Sequence, residues 1–262
     1  MRCDQALNMA ISYIICAAGK GTRTKEISQD IPKALLQING LSFLEYALNS
    51  LPIQNDDQII VVSQRQDRLS RIQERVSKNI SKAHLIWFDL DYFTRGQLET
   101  AVTALKLIDR KNSIAIFNAD SCFECPDLLS SMTEPQFEGI IPCSIEAGEA
   151  WSFCRVSEEN RLQKVVEVQE KKRISKWCSV GFYFFRNYDL FEKLASEELR
   201  QESAEEYYVS RLYNHYLSLG YSILMLPVQS FKAMGSVEQI KRYWTLSIDD
   251  VRNENFHSLL KS

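Results

Sequence analysis

The sequence contains no apolar run close to the roughly 20 residues that a membrane-spanning helix needs. Its N-terminus, MRCDQALNMA, carries an aspartate and lacks a long apolar core, which is not typical of a signal peptide. A formal net charge of −3 over 262 residues gives no excess of basic residues for nucleic-acid binding. We therefore expect a cytoplasmic protein with no membrane or nucleic-acid partner, and we expect residues 1–11 to be a leader without a structural role.

Histidine is scarce, and its three residues, His84, His215 and His257, lie far apart in the sequence. This scarcity matters for Cys122 and Cys125, which form a C-x-x-C pair, because a zinc site needs a second Cys or His pair nearby. Two loop thiols are the simpler interpretation, and a redox or metal-binding pair is the alternative. The seven cysteines are scattered and fall mostly in apolar stretches, which favours reduced thiols.

The first half of the sequence alternates short apolar runs with helical stripes of apolar residues. Strands are predicted over residues 13–17, 58–63, 84–88 and 113–120. Helices are predicted over residues 43–51 and 69–76, and from Gly96 onward. Such alternation is typical of a mostly parallel sheet that is covered by helices on both faces.

The second half consists mainly of consecutive apolar segments with polar connections. Strands are predicted over residues 139–147, 151–157, 162–168, 178–185 and 222–226, and helices over 190–199, 205–219 and from Val237. The sequence has no internal repeat and no Pro- or Gly-rich linker, so we predict one α/β domain over residues 1–262. Its expected architecture is Rossmann-like, with three α/β/α layers around a mixed, mostly parallel sheet.

The segment CAAGKGTR follows the first predicted strand, at the end where open α/β sheets bind their ligands. It is too short for a P-loop, and Thr24 stands where a dinucleotide fingerprint has its third glycine. Gly19 and Gly21 would let the backbone approach a phosphate closely, and Lys20 and Arg23 would add positive charge. A glycine turn with solvated basic residues is the alternative interpretation.

Four later segments place further polar residues beside predicted elements: Lys33 in PKALL, Gly96 in TRGQLETA, Asp120 in NAD, and the pair Glu170–Lys171 in VQEKKRIS. A carboxylate at a strand end suits Mg²⁺, which takes its remaining ligands from phosphate and water. Taken singly, each of these residues is more often a cap, a turn residue or part of a solvated face. Their order along the chain is more specific than any one of them.

Together these motifs resemble the sugar-1-phosphate nucleotidyltransferases, or nucleoside-diphospho-sugar pyrophosphorylases, over residues 13–244. The likeness is strongest in AAGKGTR…PKALLQINGLSFLEYAL and weaker in NAD, EKK, VGFYFF and FKAMGSVEQI. RGQLETA, WSF and EEYYVSRLYN are most similar to a branch found among bacterial capsule and surface-polysaccharide genes. The resemblance implies the nucleotide-diphospho-sugar transferase fold, a nucleotide-binding half at residues 12–130, an acceptor-binding half at 131–262, and a homodimer.

The resemblance also implies a set of nucleotide contacts, in which Arg23 lies on the departing pyrophosphate and Gly96 and Gln97 touch the base or ribose. The implied nucleotide-binding residues are Ala17, Ala18, Gly19, Lys20, Gly21, Thr22, Arg23, Gly96, Gln97 and Asn118.

The remaining implied roles concern catalysis and the acceptor. Lys33 would stabilise charge at the α-phosphate, and Asp120 would hold Mg²⁺. Lys171 would reach the phosphate of the acceptor. Glu170 would bind the acceptor's hydroxyl groups, and Gly181 would lie at the acceptor pocket. Among the aromatic residues, Trp151 and Phe153 are the pocket candidates, and the others are expected in the core. The implied catalytic set is Arg23, Lys33, Asp120 and Lys171.

One position departs from the family pattern. Many relatives carry a second metal-binding aspartate two residues before a Gly-Thr, but here Ala233 stands two residues before Gly235-Ser236. Glu206 and Glu238 are the alternative candidates for the second ligand. Mg²⁺ binding does not require it, because one carboxylate can suffice beside phosphate oxygens.

The expected reaction is Mg²⁺-dependent transfer of a nucleoside monophosphate from a nucleoside triphosphate to a hexose or heptose 1-phosphate, for capsule or surface-polysaccharide precursors. CTP-dependent transfer to phosphocholine or a phosphorylated amino-acid derivative is the alternative acceptor chemistry. A glycosyltransferase, a nucleotide-sugar-binding regulator and a P-loop kinase are the alternatives of other classes. The sequence identifies neither the base nor the acceptor.

Overall fold

The computed structural model describes residues 10–28, 31–80, 83–159, 162–201, 206–246 and 249–252. Its strands form one ten-stranded sheet and two two-stranded sheets. The strands are β1 (Ile11–Cys16), β2 (Gln37–Ile38), β3 (Leu41–Ser42), β4 (Gln58–Gln64), β5 (His84–Leu90), β6 (Ser113–Asn118), β7 (Ser121–Glu124), β8 (Gly139–Ile145), β9 (Ser152–Glu159), β10 (Leu162–Glu170), β11 (Trp177–Ser179), β12 (Phe182–Phe185), β13 (Ile223–Pro227) and β14 (Ser230–Ala233).

The helices are short, and several begin or end in a 3₁₀ turn. The α-helices are α1 (Lys25–Ser28), α2 (Phe43–Asn49), α3 (Gln73–Asn79), α4 (Gln97–Ala104), α5 (Leu128–Thr133), α6 (Tyr188–Arg200), α7 (Leu212–Ser218) and α8 (Val237–Trp244). The 3₁₀ turns are Thr22–Thr24, Lys33–Leu35, Arg65–Asp67, Leu69–Ile72, Leu105–Leu107 and Val209–Arg211.

The order of the large sheet is β11-β9-β10-β13-β8-β12-β6-β1-β4-β5. The four strands from the first half, β5, β4, β1 and β6, are parallel, and β12 then runs antiparallel between β6 and β8. Only β10, β11 and β12 run against the direction of the other strands. The expected mixed, mostly parallel sheet is confirmed.

Two apolar cores lie on opposite faces of this sheet. Successive residues of a strand point to opposite faces, and Ile14 accordingly packs with α4, α6 and α7 while Tyr13 and Ile15 pack with α2 and α5. The strand residues that point into the two cores are almost fully buried. The three-layer α/β/α architecture predicted from the sequence is thereby confirmed.

Two predicted elements are wrong in detail. Residues 178–185 form two strands rather than one, because the chain breaks at Gly181, whose φ of 87° leaves the β region. The helix predicted over residues 205–219 begins with the 3₁₀ turn at Val209, and α7 starts only at Leu212. Just before that turn, Tyr207 pairs with the start of α4, where its carbonyl accepts from the Leu98 amide at 3.1 Å.

The two small sheets are absent from the sequence prediction. In the one that matters for the site, β7 pairs antiparallel with β14, so the end of β14 lies beside the end of β6. The Met234 amide donates to the Asp120 carbonyl at 2.8 Å. A segment from the last part of the chain is therefore held against the centre of the parallel strands.

The N-terminal leader falls mostly outside the described residues, which begin at residue 10. Ile11 is already part of β1, and its amide donates to Asp57 Oδ1 at 2.8 Å. In the part of the chain that the structure describes, no helix is both long enough and apolar enough to cross a bilayer.

Candidate active site

A cavity of about 850 Å³ opens beyond the carboxyl ends of β1, β4 and β6. With the exception of Phe153, the residues that the sequence predicted for the nucleotide, the acceptor and catalysis line this cavity: Ala17, Ala18, Gly19, Lys20, Gly21, Thr22, Arg23, Lys33, Gly96, Gln97, Asn118, Asp120, Trp151, Glu170, Lys171 and Gly181. The structure thus brings together segments that are far apart in the sequence. The roles assigned to these residues stay predictions.

The glycine-rich loop is anchored at its start and exposed at its centre. The Ala17 amide donates to the Val62 carbonyl at 2.8 Å, and Gln64 Nε2 donates to the carbonyls of Ala18 (3.3 Å) and Tyr92 (3.0 Å). Gln64 is buried, so this amide ties the loop to the segment after β5. Gly19 and the residues that follow it to Arg23 face the cavity mouth, where their N–H groups are available to an anion.

Lys33 and Asp120 form an ion pair at the cavity floor. Lys33 opens the 3₁₀ turn after Pro32, and its Nζ also donates to the Gly235 carbonyl at 3.2 Å. Burial acts to raise the pKa of Asp120, but the charges of Lys33 and Arg23 outweigh it and hold the pKa below its ordinary value. Asp120 is therefore an ionised carboxylate at neutral pH.

The donor atoms around Asp120 limit how a cation could bind. The described residues contain no group of three or more His, Cys, Asp or Glu side chains that could hold a metal ion. Glu206 lines the cavity but accepts from the Tyr208 hydroxyl at 3.0 Å, and Glu238 is an exposed residue of the first turn of α8. Asp120 thus fits the one-carboxylate pattern of Mg²⁺, which completes its shell with phosphate and water.

The Glu170–Lys171 pair lies at the end of β10 and also lines the cavity. Glu170 accepts hydrogen bonds from Ser152 and from Ser210 Oγ (3.0 Å). Burial raises the pKa of Glu170 above its ordinary value, although both serines act to lower it. Lys171 has a left-handed φ of 53°, and its amide donates to the Trp151 carbonyl at 2.9 Å, which turns the side chain into the cavity.

The Lys171 ammonium donates to the Tyr208 hydroxyl, which in turn donates to Glu206. The hydrogen bond to Tyr208 raises the pKa of Lys171, so this side chain carries its charge at any physiological pH. Tyr208 and Glu206 belong to the segment EEYYV that was assigned to a helix from the sequence. Their role in holding Lys171 was missed, because it depends on residues 206–208 lying outside a helix.

Two glycines allow close contacts in the wall of the cavity. Gln97 Nε2 donates to Asn118 Oδ1 at 2.8 Å, and a Cβ on Gly181 would lie only 2.4 Å from Asn118 Nδ2. A Cβ on Gly96, whose φ is 139°, would lie 2.5 Å from the Tyr207 carbonyl. Larger residues at either position would push apart the elements that form the cavity wall.

The aromatic residues differ in part from expectation. Phe93 was expected in the core, yet it is 46% exposed and lines the cavity, with Lys20 Nζ 5.4 Å from its ring centroid. Its polar surroundings in LDYFTRG were the available signal. Phe153 was predicted for the pocket, and that prediction is wrong, because β9 directs it into the interior, where it is fully buried. Trp151 does line the cavity.

The sequence analysis did not identify Asp67 as a site residue, and it left two interpretations open for Cys122 and Cys125. Asp67 lines the cavity, and burial together with the charge of Asp89 raises its pKa to about 6. Cys122 lies in β7 and Cys125 follows it; both are free thiols, and burial raises the pKa of each to about 11.

Comparison with known proteins identifies the family. The sequence pattern of the family described as "MobA-like NTP transferase domain" matches residues 13–186, more than half of the chain. This match confirms the expected class of enzyme, a nucleotidyltransferase. The chain is also 25% identical over 193 residues to the bifunctional protein GlmU of Methanococcus aeolicus, covering 71% of this chain and 43% of that protein. It spans less than half the length of the curated relatives it matches.

Solved structures share the fold over nearly the whole chain. The nucleoside-diphosphate-sugar pyrophosphorylase from Vibrio cholerae RC9 superposes with a TM-score of 0.76 at 22% identity, covering 89% of this chain and 100% of that one. The inositol-1-phosphate CTP transferase from T. maritima gives 0.70 at 15% identity, covering 93% and 97%. At these identities the likeness establishes the fold, and the nucleotide-diphospho-sugar transferase fold expected from the motifs is confirmed.

Proposed function

Because this chain belongs to the family of MobA-like NTP transferase domains, we propose that it transfers a nucleoside monophosphate from a nucleoside triphosphate to a sugar 1-phosphate and releases pyrophosphate. The observation that carries the proposal is the ion pair of Lys33 with Asp120 at the floor of a cavity that also holds the glycine-rich loop and Lys171. The V. cholerae pyrophosphorylase, named for nucleoside-diphosphate sugars, supports this substrate class.

The proposed chemistry needs no nucleophile from the protein. A phosphate oxygen of the acceptor forms a bond to the α-phosphorus, and the bond from that phosphorus to the bridging oxygen of the β-phosphate breaks. Two anions must meet in this step, so catalysis depends on positioning and on cancelling charge. Lys33 acts at the α-phosphate and Arg23 at the leaving pyrophosphate, while Lys171 holds the acceptor phosphate.

Mg²⁺ is the proposed metal. The ionised Asp120 carboxylate, held by Lys33 and Arg23, is the residue that would bind it. When bound, the cation would supply positive charge to the phosphate oxygens. Lys33 would keep Asp120 in place through the ion pair, and the Lys33 ammonium is itself fixed by its hydrogen bond to the Gly235 carbonyl.

The acceptor is proposed to lie between β10 and Trp151. Glu170 would accept hydrogen bonds from its hydroxyl groups, and Lys171, fixed by Tyr208, would bind its phosphate. The segments RGQLETA, WSF and EEYYVSRLYN support a role in capsule or surface-polysaccharide precursor synthesis. The T. maritima transferase, whose name specifies inositol 1-phosphate and CTP, keeps a phosphorylated non-sugar acceptor as the second candidate.

Two assays test the proposal. Thermal unfolding with ATP, CTP, GTP, UTP and dTTP, each with Mg²⁺, should show one triphosphate that stabilises the protein, because a ligand that binds only the folded state raises its stability. Pyrophosphate release is then measured with that triphosphate and glucose 1-phosphate, mannose 1-phosphate, inositol 1-phosphate or phosphocholine.

Lys33→Ala should abolish both signals, and Lys193→Ala, at an exposed position of α6, is the matched control. If no triphosphate shifts the melting temperature but a nucleoside-diphosphate sugar does, the proposed reaction is wrong. A glycosyltransferase or a nucleotide-sugar-binding regulator would then replace it.

A further inference from the structure

Asp67 places a partly buried carboxyl group in the wall of the active-site cavity. In the described part of the chain, no lysine or arginine forms an ion pair with it. Burial and the charge of Asp89 raise its pKa, and the backbone amide of Gln64, which acts in the opposite direction, does not outweigh them. The protein surroundings therefore disfavour the ionised carboxylate, which would gain from any donor that reaches it through the cavity.

The strand order places this carboxyl group on one flank of β1, the strand that the glycine-rich loop follows. β4 and β5 lie on that flank, and β6, which leads to Asp120, lies on the other. Asp67 ends the 3₁₀ turn that follows β4. Gln64, at the end of β4, donates to the carbonyls of Ala18 at 3.3 Å and Tyr92 at 3.0 Å, so the chain segments after β1, β4 and β5 are held together.

The surroundings of Asp67 suit the base of a nucleotide better than its phosphates. Phosphate groups are poor partners for a carboxylate, because like charges repel. In the proposed function they are bound by Arg23 and Lys33, and the acceptor phosphate by Lys171. Phe93, which follows β5, is partly exposed in the same cavity, and a nucleobase can stack on such a ring. The ends of β4 and β5 thus offer the base a stacking surface and a hydrogen-bond acceptor.

The five common bases differ in what they offer to a carboxylate. An ionised carboxylate only accepts hydrogen bonds. Cytosine, adenine and guanine each carry an exocyclic amine, and acceptance from the cytosine amine by Asp or Glu is a recurrent protein contact. Uracil and thymine carry no such amine, and the N–H group of their pairing edge lies between two carbonyl oxygens that would repel a carboxylate.

We propose that Asp67 accepts a hydrogen bond from an exocyclic amine of the base, so that the triphosphate carries cytosine, adenine or guanine rather than uracil or thymine. The inference rests on the proposed function, because it names the substrate class of that reaction. The amine would offset the burial of the carboxylate and its repulsion from Asp89. Asp67 selects the base in this account and takes no part in the transfer itself.

The test compares dissociation constants for triphosphates that differ only in the base, measured by isothermal titration calorimetry with Mg²⁺. CTP is paired with UTP, and ATP and GTP are each paired with ITP, whose base has no exocyclic amine. The wild type should bind one amine-bearing triphosphate at least about tenfold more tightly than its paired analogue. Asp67→Ala should weaken the binding of that triphosphate about 10- to 100-fold and leave the binding of the analogue nearly unchanged.

Two further variants complete the design. Asp67→Asn should bind both members of the pair with similar affinity, because an amide can accept from an amine or donate to a carbonyl oxygen. It also keeps the test valid if Asp67→Ala does not fold, which melting temperatures would show. Asp56→Ala, in the exposed turn before β4 and so at the other end of that strand, is the matched control and should bind like the wild type.

The outcomes separate this inference from the proposed function. If the wild type prefers UTP or dTTP, or binds both members of every pair equally, and releases pyrophosphate from the bound triphosphate, the inference is overturned and the proposed function stands. If Asp67→Ala weakens both members of a pair equally, the inference is also overturned, because Asp67 then acts on a part that they share, such as the ribose. If no triphosphate binds, the proposed function and the inference both fail.

Discussion

Lys33 and Asp120 are 87 positions apart in the sequence, yet their side chains form an ion pair at the floor of the cavity. Lys33 lies in a 3₁₀ turn and Asp120 follows β6, while the Gly235 carbonyl after β14 accepts a second hydrogen bond from Lys33. Three segments that are far apart in the sequence are thereby joined at one ammonium group. The pair is partly buried, with side-chain exposures of 17% and 22%, so water screens it less than a surface pair.

Replacing Lys33 tests the charge that this pair brings to the phosphates. Lys33→Ala should lower the rate of pyrophosphate release about 100- to 1000-fold, because a preorganised donor at the reacting phosphate is lost. Initial rates measured at the same triphosphate concentration for both proteins report the effect, which combines weaker binding with slower reaction. Lys193→Ala should leave the rate unchanged, and an equal loss in both variants would rule out a specific role for Lys33.

Replacing Gly181 tests the contact between β6 and the break before β12. Gly181→Ala should lose about 1–3 kcal/mol of stability from its left-handed backbone. It should also weaken triphosphate binding, because the new Cβ would displace Asn118 from its hydrogen bond with Gln97. Chemical denaturation and the Michaelis constant for the triphosphate measure the two effects.

Gly148 is the matched control for Gly181, since its φ of 84° imposes the same backbone strain but a Cβ there meets nothing within 4 Å. Gly148→Ala should lose stability and keep its affinity for the triphosphate. If the two variants bind the triphosphate equally well, the contact with Asn118 has no part in nucleotide binding.

The stability of the protein should depend on pH through Asp67. Its pKa is raised from 3.8 to about 6, so between these values the folded protein binds more protons than the unfolded chain. The free energy of unfolding therefore falls as the pH rises through this window. Asp67→Asn should match the wild type near pH 4 and be more stable than it above pH 6, as urea denaturation at several pH values would show.

Asp91 provides a control of opposite sign. The hydrogen bond from Arg65 lowers its pKa, so its stabilising effect is present above its ordinary pKa and is lost as the pH falls. Asp91→Asn should be slightly less stable than the wild type at neutral pH, and the two should converge in acid. A parallel response of Asp67→Asn and Asp91→Asn would contradict the assignment for Asp67.

The thiols of Cys122 and Cys125 should react slowly in the folded protein. The thiolate is the reactive form, and burial raises the pKa of both groups to about 11. Iodoacetamide at pH 7 should label them far more slowly than in the unfolded chain, as mass spectrometry after quenching would show. Rapid labelling would favour the redox interpretation of the C-x-x-C pair. So would a loss of activity on mild oxidation that dithiothreitol reverses.

The sequence predicted the positions of site residues that directly follow a buried strand. It was less successful for residues that lie in irregular segments or at a break in a strand. Asp120 and the glycine-rich loop were predictable, because buried strands give clear apolar runs and ligands gather at their carboxyl ends. The break at Gly181 was not predictable, because the apolar pattern continues through it. Only the backbone φ angle of Gly181 ends the strand there. Phe93 was misassigned because hydrophobicity alone does not distinguish an aromatic core residue from one at a cavity.

Gly235, whose carbonyl accepts from Lys33, was not predictable as a site residue for a different reason. Its position in the cavity depends on β14 pairing with β7, and neither of these short strands has a distinctive pattern. Tyr208 likewise reaches Lys171 only because residues 206–208 lie outside a helix. Both contacts arise from the tertiary placement of short segments, which local sequence does not encode.

The most direct test of the proposed reaction follows the phosphorus atoms of the triphosphate. The triphosphate chosen by the melting experiment is labelled at the α or the γ position and incubated with Mg²⁺, the protein and each of the four phosphorylated acceptors. The α label should enter a product that contains the acceptor, and the γ label should appear only in pyrophosphate. Transfer of the γ label to the acceptor, or no acceptor-dependent reaction with any triphosphate, would contradict the account.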